Sequence, residues 1–186
     1  HVTEGGYRVP GIIRWPGVLP AGRRERGLFN SPDMMPTLLG LRGCEIPAGR
    51  HGTDFSKALR EGATLDREYV FMAHNCGAPY PGMTPYEWPV EYGRKWRAVR
   101  DSHYTYVVVD AGEHSKFYDP DRFPRPFPRG VNRALYDLEK DPCQEKPVYP
   151  GQGYDPEMAR LHGALAAWLK DLGDPFLNEE GAPPQM

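Results

Sequence analysis

A chain of 186 residues, 39% apolar and 26% charged, is long enough and apolar enough to bury the core of a full domain without disulfide staples. The formal net charge is −2 and Lys and Arg are scattered, so electrostatics offers no case for nucleic acid or an anionic membrane as partner. No apolar run reaches membrane-spanning length.

Three cysteines, Cys44, Cys76 and Cys143, lack any C-x-x-C spacing, which argues against a zinc site and against a complete disulfide framework. They read as buried or incidental thiols, with one disulfide plus a free Cys as the alternative for an exported protein. The 21 Gly and 21 Pro imply many fixed turns and long loops. The first residue is His1 and no signal peptide is visible, so the chain reads as a piece of a longer or processed protein.

The chain begins Glu4-Gly5-Gly6-Tyr7-Arg8-Val9-Pro10-Gly11-Ile12-Ile13-Arg14-Trp15-Pro16-Gly17. Gly5-Gly6 permits positive φ, and residues 9–15 form a short β-branched apolar run bounded by Pro and Gly, which predicts a buried strand. Glu4 and Arg8 read as an internal ion pair holding the turn. After a polar connection, Asp33 is placed to cap a helix with its carboxylate. Pro36 falls in the first turn, where its missing N–H breaks no bond. Met34, Leu38 and Leu41 suggest an apolar stripe, and Gly43 a C-terminal stop. His51, between glycines, reads as a solvated loop residue.

A boundary is expected near residues 62–66. Residues 69–73 then read as a strand running into His74 and a turn-rich loop that carries Asn75, Tyr80 and Trp88 and ends near Lys95. Residues 96–100 and 104–109 flank Asp101-Ser102-His103 and predict a β-hairpin. A long Pro- and charge-rich loop follows over residues 110–133, a length usually associated with function or mobility. Pro-rich peptide recognition is conceivable there, with no other feature in its support. Residues 134–138 read as an edge strand ended by the Asp141-Pro142 turn. The strongest helical signal comes last. Asp155 is the expected N-cap and Pro156 the first helical residue, while Glu157 favours the dipole. Met158, Leu161, Leu165, Trp168, Leu169 and Leu172 share a face, and Gly173 and Pro175 stop the helix. That stripe predicts packing across a small antiparallel sheet.

As literal strings, four passages in order resemble sulfatases, the formylglycine-dependent members of the alkaline-phosphatase-like superfamily. They are the opening Glu4 to Gly17 signature, Asp33-Met34-Met35-Pro36-Thr37-Leu38-Leu39, the Trp96 to Tyr106 segment around Arg97-Ala98-Val99-Arg100, and Leu135-Tyr136-Asp137-Leu138-Glu139-Lys140-Asp141-Pro142. A weaker match runs through residues 44–62. The resemblance implies an α/β fold: the C-terminal end of an alkaline-phosphatase-like sulfatase domain over residues 1–62, then a small α+β subdomain over residues 67–186. In that subdomain an antiparallel sheet would be packed by the C-terminal helix.

The implied activity is sulfate-ester hydrolysis by the whole protein. None of the three cysteines lies in the Cys-x-Pro/Ala-x-Arg motif that yields formylglycine, so nucleophile, Ca2+ ligands and the active-site Lys are expected upstream of this chain. His1 lies near the place of that Lys but not at it. No catalytic or metal-binding residue is therefore assigned here, and the isolated piece is expected to be inactive. The resemblance points instead to loops that wall the substrate pocket, with His74 and Asn75 at a strand end and Tyr80, Trp88 and Lys95 behind them. A His there would assist the leaving group or bind the sulfated substrate, and the aromatics would stack on a sugar or aryl ring. Expected partners are a sulfated small molecule or glycan and the missing N-terminal part of the same protein. Family resemblance favours export to periplasm, lysosome or medium. A phosphomonoester or phosphonate hydrolase of the same superfamily is the competing enzyme reading, and a non-catalytic binding module the competing class.

Overall fold

A computed structural model describes residues 3–74, 95–109 and 132–177. The contacts divide the chain into two compact units, residues 10–70 and residues 1–9 with 71–186. Of the loop expected over residues 110–133, residues 110–131 and the peptide-recognition reading lie outside the described residues, as does Cys76, while Arg133 already belongs to a strand.

In the unit over residues 10–70, the predicted strand is absent. Residues 8–15 have no regular structure, and Ile12 is 97% exposed. β-branched residues favour a strand only where another strand takes up their N–H and C=O groups. Among the described residues none does so, and Pro10 has no N–H to offer.

After the opening turn α1, Glu4–Tyr7, the next elements are a 3₁₀ turn, Ser31–Asp33, then α2, Met34–Arg42, and α3, Ser56–Glu61. Pro36 sits in the first turn of α2 as expected. Gly43, at φ 67°, ends the helix through its N–H to the Gly40 carbonyl. The apolar stripe is corrected: Leu41 is buried, but Met34 and Leu38 are about half exposed, and Pro36 and Thr37 take the inner face. A short helix turns toward whatever its ends are tied to, and here the ties are polar.

Asp33 is the centre of those ties and is fully buried. Its carboxylate does not cap α2 but accepts from the Asn30 N–H at 2.7 Å and the Thr53 N–H at 2.8 Å. Arg67 adds Nη1 at 2.5 Å and Nη2 at 2.8 Å, a bidentate pair. Thr37 completes the staple, its hydroxyl accepting from the Phe55 N–H at 3.1 Å. Gly52 fits because its φ of +106° and its 2.2 Å approach of a would-be Cβ to the Pro32 carbonyl oxygen exclude other residues.

The second unit opens on α1, Glu4–Tyr7, a single helical turn in which Gly5 and Gly6 are helical and do not take the expected positive φ. The Glu4–Arg8 ion pair is present at 3.1 Å, and the same carboxylate also meets Arg100. The strands are β1, Val70–His74, β2, Trp96–Arg100, β3, Tyr104–Val109, and β4, Arg133–Asp137, arranged in that order across one sheet. β2, β3 and β4 run antiparallel, with Trp96 opposite Val109 and Tyr106 opposite Leu135. The predicted hairpin turn is built by Asp101, whose Oδ1 accepts from the His103 and Tyr104 N–H groups at 2.8 and 2.7 Å.

Strand alternation gives the sheet two buried faces. Met72, Trp96, Ala98, Val107, Val109, Ala134 and Tyr136 pack together on one, with Tyr149 against them. The helix α4, Asp155–Leu172, packs on β2 and β3. Its Met158, Leu161, Leu165 and Leu169 are buried as the stripe requires, while Leu172 is more than a third exposed. Tyr154, not Asp155, is the N-cap; the Asp155 Oδ1 instead accepts from the Gly151 N–H at 2.9 Å. β4 is the edge of the sheet, and Val148 covers part of it by a two-way bridge to Leu135. Its turn is formed by Asp137, which accepts from the Glu139 and Lys140 N–H groups, ahead of the expected Asp141-Pro142.

Removing one partner of a buried ion pair costs about 3–5 kcal/mol. Asp33→Ala is expected to lose that much in urea unfolding, and an unchanged midpoint would show the pair to be dispensable. A second expectation concerns alkali. Burial pushes the Tyr106 and Tyr136 phenols up to about 12 from the usual 10. The folded state therefore holds protons that the unfolded state releases, so stability is intact below pH 10 and falls as pH rises toward 12. Tyr136→Phe is expected to flatten that fall in a pH series of thermal melts.

Candidate functional site at the end of the first strand

β1 alternates by burial. Val70 and Met72 are buried, Ala73 is exposed, and His74, the last residue, is half-buried. Phe71 stacks on Trp168 of α4 at 4.8 Å with planes 5° apart. By the same period of two, His74 falls on the face of Met72 and Trp96. Its imidazole lies 5.6 Å from the Trp96 indole, with planes 15° apart. Trp96 is itself buried, and the Tyr7 ring of α1 meets it edge-on at 5.3 Å.

Arg97, one residue on, points to the opposite face and is buried. All three guanidinium nitrogens are engaged. Nε donates to Asp174 Oδ2 at 2.8 Å, Nη2 pairs with the same oxygen at 2.8 Å, and Nη1 reaches the His74 carbonyl at 3.2 Å and the Trp96 carbonyl at 3.0 Å. Phe176 covers the cation at 4.6 Å. The end of β1 is thereby held twice, through the backbone of His74 by Arg97 and through its ring by Trp96.

Of the residues singled out from sequence, His74 has this position, and Lys95 is exposed one residue before the indole on which His74 stacks. Asn75, Tyr80 and Trp88 lie outside the described residues. Sequence reasoning missed Trp96 and Arg97 as neighbours of His74, and Tyr7 as the ring that meets Trp96. The only available signal was the density of large side chains at the start of β2, which by itself reads as core.

A second polar cluster sits near the hairpin turn. Burial would raise the Asp137 carboxyl, but the Tyr154 hydroxyl at 2.8 Å and Lys140 outweigh it and hold it below the ordinary range. Lys140 is correspondingly pushed up, by Tyr154 first and then Asp137. Asp101 pairs with Arg160 at 2.5 Å. Every one of these charges is satisfied within the unit, which marks the cluster as structural. Cys44 and Cys143 are free and exposed. Among the described residues, no three His, Cys, Asp or Glu side chains converge as metal ligands.

No family model matches the chain. Curated relatives do. Rat steryl-sulfatase is 29% identical over 164 residues, 81% of this chain and 26% of its own length. Human arylsulfatase D is 30% identical over 184 residues, 91% of this chain and 28% of its own. An ulvan-active sulfatase of Formosa agariphila is 29% identical over 175 residues, 93% of this chain and 29% of its own. The chain thus spans between a quarter and a third of the length of these relatives. Among solved structures, BT4656 in complex with its substrate D-glucosamine-2-N,6-O-disulfate superposes with a TM-score of 0.64 at 17% identity, covering 91% of this chain and 29% of that one. The putative sulfatase yidJ from Bacteroides fragilis gives 0.59 at 19%, covering 87% and 29%. Sulfatase homologues therefore cover most of this chain, and the α/β fold with its sheet packed by a C-terminal helix is theirs.

Arg97→Ala is expected to cost about 3–5 kcal/mol, because it leaves Asp174 and two strand carbonyls without their shared donor. Chemical denaturation checks this, and a loss below about 1 kcal/mol would place the guanidinium in water instead.

Proposed function

We propose that this sulfatase homologue is the C-terminal part of a sulfate-ester hydrolase, and that it supplies wall residues of the substrate pocket. The observation that carries the reading is the similarity to sulfatases over 79–93% of the chain by sequence. Residues 1–62 would close the catalytic domain and residues 67–186 form the C-terminal subdomain. The protein as a whole would cleave a sulfate ester to an alcohol and sulfate. Formylglycine and Ca2+ would belong to residues outside this chain, and no step is assigned through them.

The local chemistry supports a role for His74. An imidazole at a strand end, stacked on an indole and anchored through its own carbonyl, presents its ring edge in a fixed place. Such an edge can donate to a sulfate oxygen or pass a proton to a departing alkoxide. Lys95, and Asn75, Tyr80 and Trp88 from the adjoining segment, complete the proposed wall. The substrate class is a sulfated glycan or small molecule, in line with the sulfated glucosamine held by BT4656. Export is the proposed destination. No described helix is long and apolar enough to cross a membrane.

The whole protein is expected to turn over 4-nitrophenyl sulfate in preference to the phosphate or phosphonate ester, and the isolated chain neither. His74→Ala is expected to lower kcat/KM by about 10²-fold, the low end for a positioned acid or base. An unchanged kcat/KM would remove His74 from the pocket. A preference for phosphate would overturn the sulfatase reading itself.

A further inference from the structure

We infer that Trp96 is a positioning residue for His74, and that Tyr7 of the opening signature braces it. This rests on the reading of His74 as a substrate-facing residue. Three rings stand in sequence: Tyr7 edge-on to Trp96 at 5.3 Å, and Trp96 nearly parallel to His74 at 5.6 Å. Trp96 cannot tilt away, because it is 4% exposed and packed among Met72, Ala98 and Val109. Nor can α1 slide along the sheet, since Glu4 grips Arg100 on the same strand as Trp96.

A half-buried His at the end of a strand ordinarily samples several rotamers. Stacking against a fixed indole favours those that keep the ring parallel to it, and a stack of this kind adds only modestly to stability. One face of the imidazole is then spent on the indole, and its nitrogens lie on the ring edge. Misplacing a group in a site by as little as about 1 Å can cost about 10²-fold in rate. A stack of modest energy therefore has leverage on chemistry that its contribution to stability would not suggest. On this view the signature turn serves the site from a distance: it touches no substrate and sets where the imidazole stands.

The test is a double-mutant cycle in the whole enzyme combined with NMR of the His74 ring protons. Trp96→Leu is expected to lower kcat/KM nearly as far as His74→Ala, and the double variant to be no worse than His74→Ala alone. Trp96→Phe, which keeps a flat ring, is expected to retain activity within about threefold. Tyr7→Leu, at a half-exposed ring outside the core, is expected to lose an intermediate amount with its melting temperature nearly unchanged. In the wild type the ring protons of His74 should be shifted upfield by the indole, and Trp96→Leu should abolish the shift.

Multiplicative losses in the cycle would overturn the inference, leaving Trp96 a purely structural residue. Absence of the upfield shift in the wild type would overturn the stack. A neutral His74→Ala alongside an intact shift would instead overturn the reading of His74 on which the inference rests.

Discussion

A buried guanidinium must find partners for its nitrogens, and Arg97 finds them in three parts of the chain at once. A desolvated cation of this kind persists only with an opposing charge and further acceptors. Asp174 provides the charge from 77 residues away, the carbonyls of Trp96 and His74 accept from Nη1, and the Phe176 ring covers the plane. The requirement runs in both directions. Because Arg97 must be satisfied, the end of β1, the start of β2 and the tail beyond α4 meet at one place. The Schellman-like stop of α4 at Gly173, with the Asp174 N–H bonded to the Leu169 carbonyl, delivers Asp174 to that place.

The smaller unit solves a related problem with the opposite sign. Asp33 is a buried carboxylate, and its oxygens are saturated by Asn30, Thr53 and Arg67, the last 34 residues away. In each unit a charge taken out of water fixes segments that hydrophobic contact would leave free to shift. Apolar packing is non-directional. A bidentate ion pair has one geometry. This is why α2 shows its Met34 and Leu38 to solvent: the helix is oriented by what Asp33 and Thr37 bind, and its weak apolar stripe does not decide the matter.

What the sequence made legible follows the same line. The hairpin was readable from Asp101, since an Asx turn is a local event between neighbours. α4 was readable because its stripe repeats over five turns and outweighs any local uncertainty. The failures concern pairing. Residues 9–15 have strand propensity, but a strand exists only with a partner, and propensity does not name one. The cap of α4 was misplaced by one residue, because Asp155 had a competing acceptor role toward Gly151 that only the folded turn creates. The stack on His74 was illegible for the same reason: β1 and β2 are joined by more than twenty residues, and nothing in either strand states their register. The family resemblance was legible from literal strings even where the local physics behind them was misread, as at Gly5-Gly6.

The register of β1 fixes which side chain the strand end presents. A slip by one residue would carry Met72 out of the apolar face and put Ala73 where His74 stands. Met72 resists that slip, since it belongs to the same buried cluster as Trp96, Val107 and Tyr136. Phe71 resists it from the other face through its stack on Trp168. The orientation of a polar residue at the end of the strand is thus set by apolar residues within it. His74 owes its place to Met72 and Phe71 before Trp96 or Arg97 contributes anything. A loop that follows such an end can vary in sequence while the end itself stays fixed, which is how one scaffold holds a polar side chain in place beside segments that differ.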